Sequence, residues 1–262
     1  MKTKTLLTIV MTLLITPQFL WSKPKKEKQE FYQLTVYHYN TVSQEKILDN
    51  YFQSALIPAL HDMGIKSVGV FKSIANDTSE NKTLYVFIPI KTLSMTDKIN
   101  GKLLKNEKFK LAGKEYLDVK YNSPAYMRME TILLKAFAFS PVMKLPKLAS
   151  PKNQRVYELR SYESASESLF RNKVHMFNEG GEIDIFTKLN FNAVFYSEVI
   201  AGSQMPNLMY MTTFENKADR DAHWASFRID PDWKDLSSRQ EYKNNVSRSV
   251  ITFLRPAEYS DF

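Results

Sequence analysis

The chain has 262 residues and not one cysteine. Disulfides, thiolate nucleophiles, cysteine-ligated metals and the lipid-modified cysteine of a lipoprotein are therefore excluded, and packing alone must hold the fold. Also missing are a Gly-x-Ser-x-Gly elbow and clustered His/Asp partners for a serine, which argues against a hydrolase triad. No phosphate-loop Lys-Ser/Thr accompanies Gly180-Gly181, so the anion-binding reading of those glycines is weak. Zinc-finger spacing and a basic helix are absent, and no nucleic-acid partner is expected. The apolar run Leu6–Ile15 is too short for a stable membrane anchor.

What is present is an ordinary globular composition, 44% hydrophobic and 13% aromatic, enough for one large core or two ordinary ones. Lys2 and Lys4, the apolar run, Pro17 and Leu20-Trp21-Ser22 together have the three-part layout of a secretory signal. Residues 1–22 are expected to be removed, leaving an exported protein, periplasmic or secreted. The net charge of +8 is concentrated at the start, where the first 30 residues hold six lysines against Glu27 and Glu30. Residues 23–30 thus read as a solvated basic leader, and the remaining excess is mild.

The chain repeats itself. Tyr32 aligns with Tyr157, Ser67–Phe71 with Asn192–Tyr196, and Leu84–Phe87 with Leu208–Met211, at offsets of 124 or 125 residues. In the second copy, Val156–Tyr162 alternates as a strand, with Tyr157, Leu159 and Ser161 on one face and Val156, Glu158, Arg160 and Tyr162 on the other. Ser164-Ala165-Ser166-Glu167 has the form of a capping box, followed by a helical stripe of Leu169, Phe170, Val174 and Phe177. Gly180-Gly181 interrupts it before a short helix; two strands follow, then a helix capped by Asn216, a short one opened by Pro231, and a last strand. The order is β-α-β-β-α-β. The first copy repeats it over residues 31–139, although 107–127 match their counterpart poorly. Three prolines mark a linker over 140–152, and the second unit spans 153–262.

This order defines an α+β fold of two tandem ferredoxin-like units. Each sheet has one bare face, so the two are expected to close on one another as an intramolecular barrel, a pseudo-dimer within one chain. Its interior is expected to be lined by Glu158, Arg160 and Tyr162 from the second copy and Gln33, Thr35 and Tyr37 from the first.

The second copy resembles the NIPSNAP family, which is built on the dimeric α/β barrel. The resemblance rests on Tyr157–Tyr162, Met209-Tyr210-Met211 with Phe214, Trp224-x-x-Phe227-x-x-Asp230-Pro231-Asp232-Trp233 and Leu254-Arg255-Pro256. Met176–Ile183 together with Gly202-x-x-Met205-Pro206-Asn207-Leu208 is similar to exported bacterial members with tandem units. The first copy departs from the pattern: Gln33 and Thr35 replace Glu158 and Arg160, so one asymmetric site centred on the second unit is expected. The resemblance implies fold more than function, since the family has no established catalytic mechanism.

Glu158, Arg160 and Tyr162, with Tyr37 and Glu182, are the candidate ligand-binding residues, and the first three are also the catalytic candidates. They could hold a polar head group by charge-assisted hydrogen bonds, or Glu158 and Arg160 could simply neutralise each other. His175, Glu179 and Glu182 fall at i, i+4 and i+7, adequate for a divalent metal on an unbroken helix, but the two glycines break that geometry, and no metal is expected. His223 or His175 as an axial haem ligand loses to Trp224 and Phe227 as core anchors, and no cofactor is expected. The expectation is an exported small-molecule-binding or interaction module with its site in the second unit's barrel cavity. Self-association remains open. The alternative is a cofactor-independent oxygenase or isomerase using Glu158 as acid/base and Arg160 as anion stabiliser; an open cavity with Glu158 unpaired would favour it.

Overall fold

The computed structural model describes residues 28–262, so the expected signal and leader residues 23–27 lie outside the described residues. The first unit runs β1 (Phe31–Tyr39), α1 (Val42–Tyr51), a π-helical turn (Phe52–Leu56), α2 (Ile57–Asp62), β2 (Gly69–Ser73), β3 (Lys82–Ile90), α3 (Ser94–Leu103), α4 (Glu107–Ala112), α5 (Lys114–Leu117) and β4 (Arg128–Ala136). The second runs β5 (Val156–Glu163), α6 (Glu167–Phe177), α7 (Glu182–Lys188), β6 (Phe195–Ala201), β7 (Asn207–Phe214), α8 (Lys217–Ile229), α9 (Pro231–Ser238) and β8 (Arg248–Pro256).

Local chemistry sets most boundaries. Thr41 and Gln44 form a reciprocal capping box at the start of α1, while Asn216 caps α8 and Asp230 caps α9 ahead of Pro231. In the second unit the expected capping box is displaced. Ser166 caps α6 by accepting from the Leu169 N–H, whereas Ser164 turns away and donates to the Asn245 carbonyl at 2.7 Å. The two glycines after α6 are both required. Gly181 sits at φ +92°, and a Cβ on Gly180 would lie 2.5 Å from the Met176 carbonyl oxygen.

The eight strands form one closed barrel in the order β1-β3-β2-β8-β5-β7-β6-β4. Each unit contributes an antiparallel four-stranded sheet of ferredoxin-like order, and two seams join them. At one, β2 pairs with β8 through Phe71, Lys72 and Ser73; at the other, β4 pairs with β6 through a bulge between Leu133 and Leu134. Closure within one chain leaves no strand edge of the barrel open to a second molecule.

The lumen is packed with apolar side chains. Tyr32, Leu34, Phe71, Phe87 and Leu134 meet Tyr157, Leu159, Phe195, Met211 and Leu254 in one cluster. Phe87 stacks on Phe195 with ring centroids 4.8 Å apart, and Phe262 inserts beside Phe71 at 5.4 Å. This reverses the expected assignment of faces. Alternation is as expected on both opening strands, but it is Tyr157 and Leu159, with Tyr32 and Leu34, that turn inward. Glu158, Arg160 and Tyr162 instead face the helices of their own unit, and Tyr37 belongs to the sheet–helix layer of the other. The physical reason is that helices carry charged partners for a buried charge, whereas a lumen shared by two sheets of largely apolar strands offers none.

Residues 107–127, poorly matched in the repeat, begin as two short helices that cover α1. Phe109 on α4 meets Tyr51 edge-on at 5.8 Å, and Tyr116 on α5 stacks on it at 3.8 Å. Between β4 and β5 the chain forms a strap without helix or strand that is nonetheless pinned: Lys144 N–H donates to the Val194 carbonyl, and Glu215 accepts from the N–H groups of Ala149 and Ser150.

Candidate functional site

Glu158 is fully buried beneath α8. Its Oε1 accepts from Arg160 Nε at 2.5 Å and Arg220 Nη2 at 3.1 Å; its Oε2 accepts from Arg220 Nε at 2.6 Å and the Trp224 indole N–H at 2.9 Å. All four acceptor positions of the carboxylate are thus used. Strand β5 supplies Glu158 and Arg160 two residues apart on one face, and α8 supplies Arg220 and Trp224 one turn apart. The geometry follows from the two periodicities. The Arg160 guanidinium also lies over the Trp224 ring, 3.6 Å from its centroid.

The network continues away from Glu158. Arg160 Nη1 donates to the Tyr162 hydroxyl at 2.9 Å, which pairs with the Tyr210 hydroxyl at 2.9 Å. Burial works against the Arg160 charge, but Tyr210, Tyr162 and Glu158 hold its pKa above the ordinary value. Beside it, Lys173 on α6 donates to Glu182 on α7 at 2.7 Å, both side chains nearly sealed from water. Burial pushes the Glu182 carboxyl above its ordinary pKa, with Lys173 and then Arg160 opposing. Three cations, Arg160, Arg220 and Lys173, thus face Glu158, Glu182 and, at the surface, Asp221, which accepts from Arg220 at 2.9 Å. Asp221 also accepts from Lys217 at 2.6 Å, so every carboxylate of the cluster is paired.

Of the candidate residues, the fold brings together Glu158, Arg160, Tyr162 and Glu182. Tyr37 stays apart, its ring edge-on to Phe52 and Tyr126 at 5.3 Å in the first unit. The His175, Glu179 and Glu182 triad is not assembled: His175 Nδ1 bonds the Tyr242 hydroxyl at 2.9 Å, Glu179 is exposed, and Glu182 is buried against Lys173. Among the described residues no group of three His, Asp or Glu side chains could hold a metal. Sequence reasoning missed Arg220, Trp224 as a hydrogen-bond donor, and Lys173. A lysine inside the apolar stripe of α6 was the available signal, since an unpaired lysine is rarely buried.

The cluster does not line the barrel, but an accessible groove lies close by. It has a volume of about 830 Å³ and runs between the strap (Phe139, Lys144), α7 (Ile183, Phe186), β6 (Tyr196) and α8 (Asp219, His223). Tyr196 connects it to the cluster, its ring stacked 5.7 Å from Tyr210. Burial, and then the nearby Glu182, raise the Tyr196 phenol pKa well above its ordinary value, so it stays a neutral donor. At the groove edge, His223 Nδ1 contacts the Asp219 carbonyl oxygen at 2.8 Å and the Asp219 carboxylate at 3.2 Å. His223 Nε2 makes no hydrogen bond to any described residue.

An eight-stranded barrel of two ferredoxin-like sheets with helices outside is the dimeric α/β barrel. Solved structures agree with this fold. A monooxygenase candidate from Lactobacillus acidophilus is 10% identical, with a TM-score of 0.55 over 87% of this chain and 94% of its own. One from Fusobacterium nucleatum is 8% identical, with a TM-score of 0.55 over 87% and 93%. The second unit is a NIPSNAP domain: the NIPSNAP family model matches residues 157–261. An uncharacterised NIPSNAP-like domain protein from Burkholderia xenovorans is 19% identical over 41% of this chain and 90% of its own, with a TM-score of 0.37. No curated protein matches the sequence.

Proposed function

We propose that the second unit is a small-molecule-binding module whose site is the groove between the strap, α7, β6 and α8. The observation that carries this is the groove itself: about 830 Å³, in the size range of ligand pockets, with the neutral Tyr196 phenol and His223 in its wall. The Glu158–Arg160–Arg220–Trp224 cluster is the rigid floor behind that wall, fixing Tyr196 through Tyr210, and does not itself contact ligand. Native mass spectrometry of the protein purified from its source tests this. A co-purified small molecule released by Tyr196→Ala supports the groove; a ligand retained by that variant places the site elsewhere.

A second reading, an oxygenase or isomerase type of enzyme, no longer rests on Glu158, whose acceptor positions are all occupied. It is favoured by one observation, the His223–Asp219 contact, which with the proton on Nδ1 leaves Nε2 as a base at the groove. Turnover of the co-purified molecule that His223→Asn abolishes without loss of binding would establish this reading. Unchanged turnover removes it. Export is part of the proposal, and N-terminal sequencing of the mature protein should find a start after about Ser22; Met1 at the start of an exported fraction would refute it.

A further inference from the structure

The seam between β2 and β8 holds a second groove, of about 280 Å³, which shares no lining residue with the groove proposed above. Its floor is apolar, made by Ile74, Val156 and Phe253, and its rim carries Arg155, Lys217 and Arg255. These three cations converge from three places: the residue before β5, the first turn of α8 and the end of β8. No carboxylate lines the groove.

How each cation is satisfied decides what the groove can take. Lys217 is held by Asp221 at 2.6 Å. Arg155 donates to the carbonyls of Ser150 and Leu148, at 2.8 and 3.3 Å, and forms no ion pair with any described residue, although its charge reaches the Glu215 carboxylate that holds the same turn of the strap. Arg255 is half-buried and makes no hydrogen bond or ion pair with any described residue, although its five donors form a fork suited to a carboxylate. Its cross-strand neighbour is another cation, Lys72. The acids beyond that neighbour do not reach it: Glu45 is taken by Lys72 at 2.6 Å, and Asp77 lies more than 4 Å from the guanidinium. A half-buried guanidinium that has two carboxylates on its other side yet forms no ion pair with either, and that borders an aromatic floor, keeps its fork free for an anion.

We propose that this seam is a binding site for a small carboxylate bearing a compact apolar body, aromatic or branched. The carboxylate meets the Arg255 fork with Arg155 beside it, and the apolar body rests on Phe253 and Ile74. Because Ile74 belongs to the first unit and the other lining residues to the second or its approach, an occupant ties the two units together. The ligand should therefore stabilise a seam that has only three paired positions.

Benzoate is the probe, with acetate as the carboxylate alone and benzamide as the body alone. In calorimetric titration of the full chain, benzoate is expected to bind saturably and to raise the thermal midpoint; acetate and benzamide should bind at least about tenfold more weakly. Arg255→Gln, at a residue that makes no internal bond, should fold normally and lose at least about tenfold in benzoate affinity. His223→Asn, in the other groove, should leave it unchanged. The proposal is overturned by absence of saturable benzoate binding, by equal binding of acetate, or by an affinity unaffected by Arg255→Gln. Benzoate binding lost in His223→Asn but kept in Arg255→Gln would move the ligand to the strap groove and likewise overturn it.

Discussion

The two units fill the same face of their opening strands differently. At equivalent places on the opening strands stand Glu158 and Gln33, Arg160 and Thr35, Tyr162 and Tyr37. In the second unit this face carries a buried carboxylate because α8 delivers Arg220 and Trp224 to it. A 124-residue offset puts Thr96 and Asn100 of α3 at those helix positions, and neither can neutralise a carboxylate. The first unit accordingly places Tyr37 among Phe52, Tyr116 and Tyr126 at that position, keeps its sheet–helix charge at the half-buried Lys72 with Glu45 and Asp49 of α1, and adds α4 and α5 as a cover that the second unit lacks. A charge on a sheet face is thus tolerated only where the opposing helix has matching donors.

The comparison can be broken most directly at its centre. Glu158→Ala leaves Arg160 and Arg220 buried without their anion and should cost about 3–5 kcal/mol, measured by urea unfolding. Gln33→Ala at the equivalent place should stay within about 1 kcal/mol. Equal costs would mean that the charged layer is not a special feature of the second unit. Phe262→Ala removes a side chain touching both units in the lumen and should cost about 3 kcal/mol while shifting a single thermal transition. Two separate transitions would show that the lumen is not a shared core.

Helix starts give a smaller contrast. Thr41→Ala breaks a reciprocal capping box and should cost about 1–2 kcal/mol, whereas Ser166→Ala, which loses one 3.3 Å bond, should cost about 0.5 kcal/mol. The reverse order in chemical denaturation would contradict the assigned caps. The smallest effect is that of acid on the strap. The Ser150 hydroxyl and the N–H groups of Ala149 and Ser150 hold the Glu215 carboxyl below its ordinary value of 4.5. A depressed carboxylate contributes stability that is present above 4.5 and lost as pH falls through the folded value. Amide exchange at Ala149 and Ser150 should therefore gain extra opening in acid, and Glu215→Gln should remove that pH dependence.

Much of this was legible beforehand. The 125-residue offset and the alternation of Tyr157 and Leu159 against Glu158 and Arg160 foretold the strands and the barrel, because periodicity is a local property. Asn216 and Pro231 marked helix starts for the same reason. Ser164 misled because two serines stood within reach of the same turn, and the Asn245 carbonyl, 81 residues away, decided between them. Residues 107–127 were opaque because their short helices acquire a reason to fold only against Tyr51.

By itself the sequence determined that there are two β-α-β-β-α-β units, that thiol and disulfide chemistry has no part in them, and that Glu158 and Arg160 share one side of their strand. Only the tertiary structure decided which side that is. A two-residue period separates faces without naming them, and the naming depends on donors that α8 brings from more than 60 residues away. Those donors made Glu158 a saturated structural anion in the sheet–helix layer and left Tyr157 and Leu159, on the other face of the same strand, to fill the barrel.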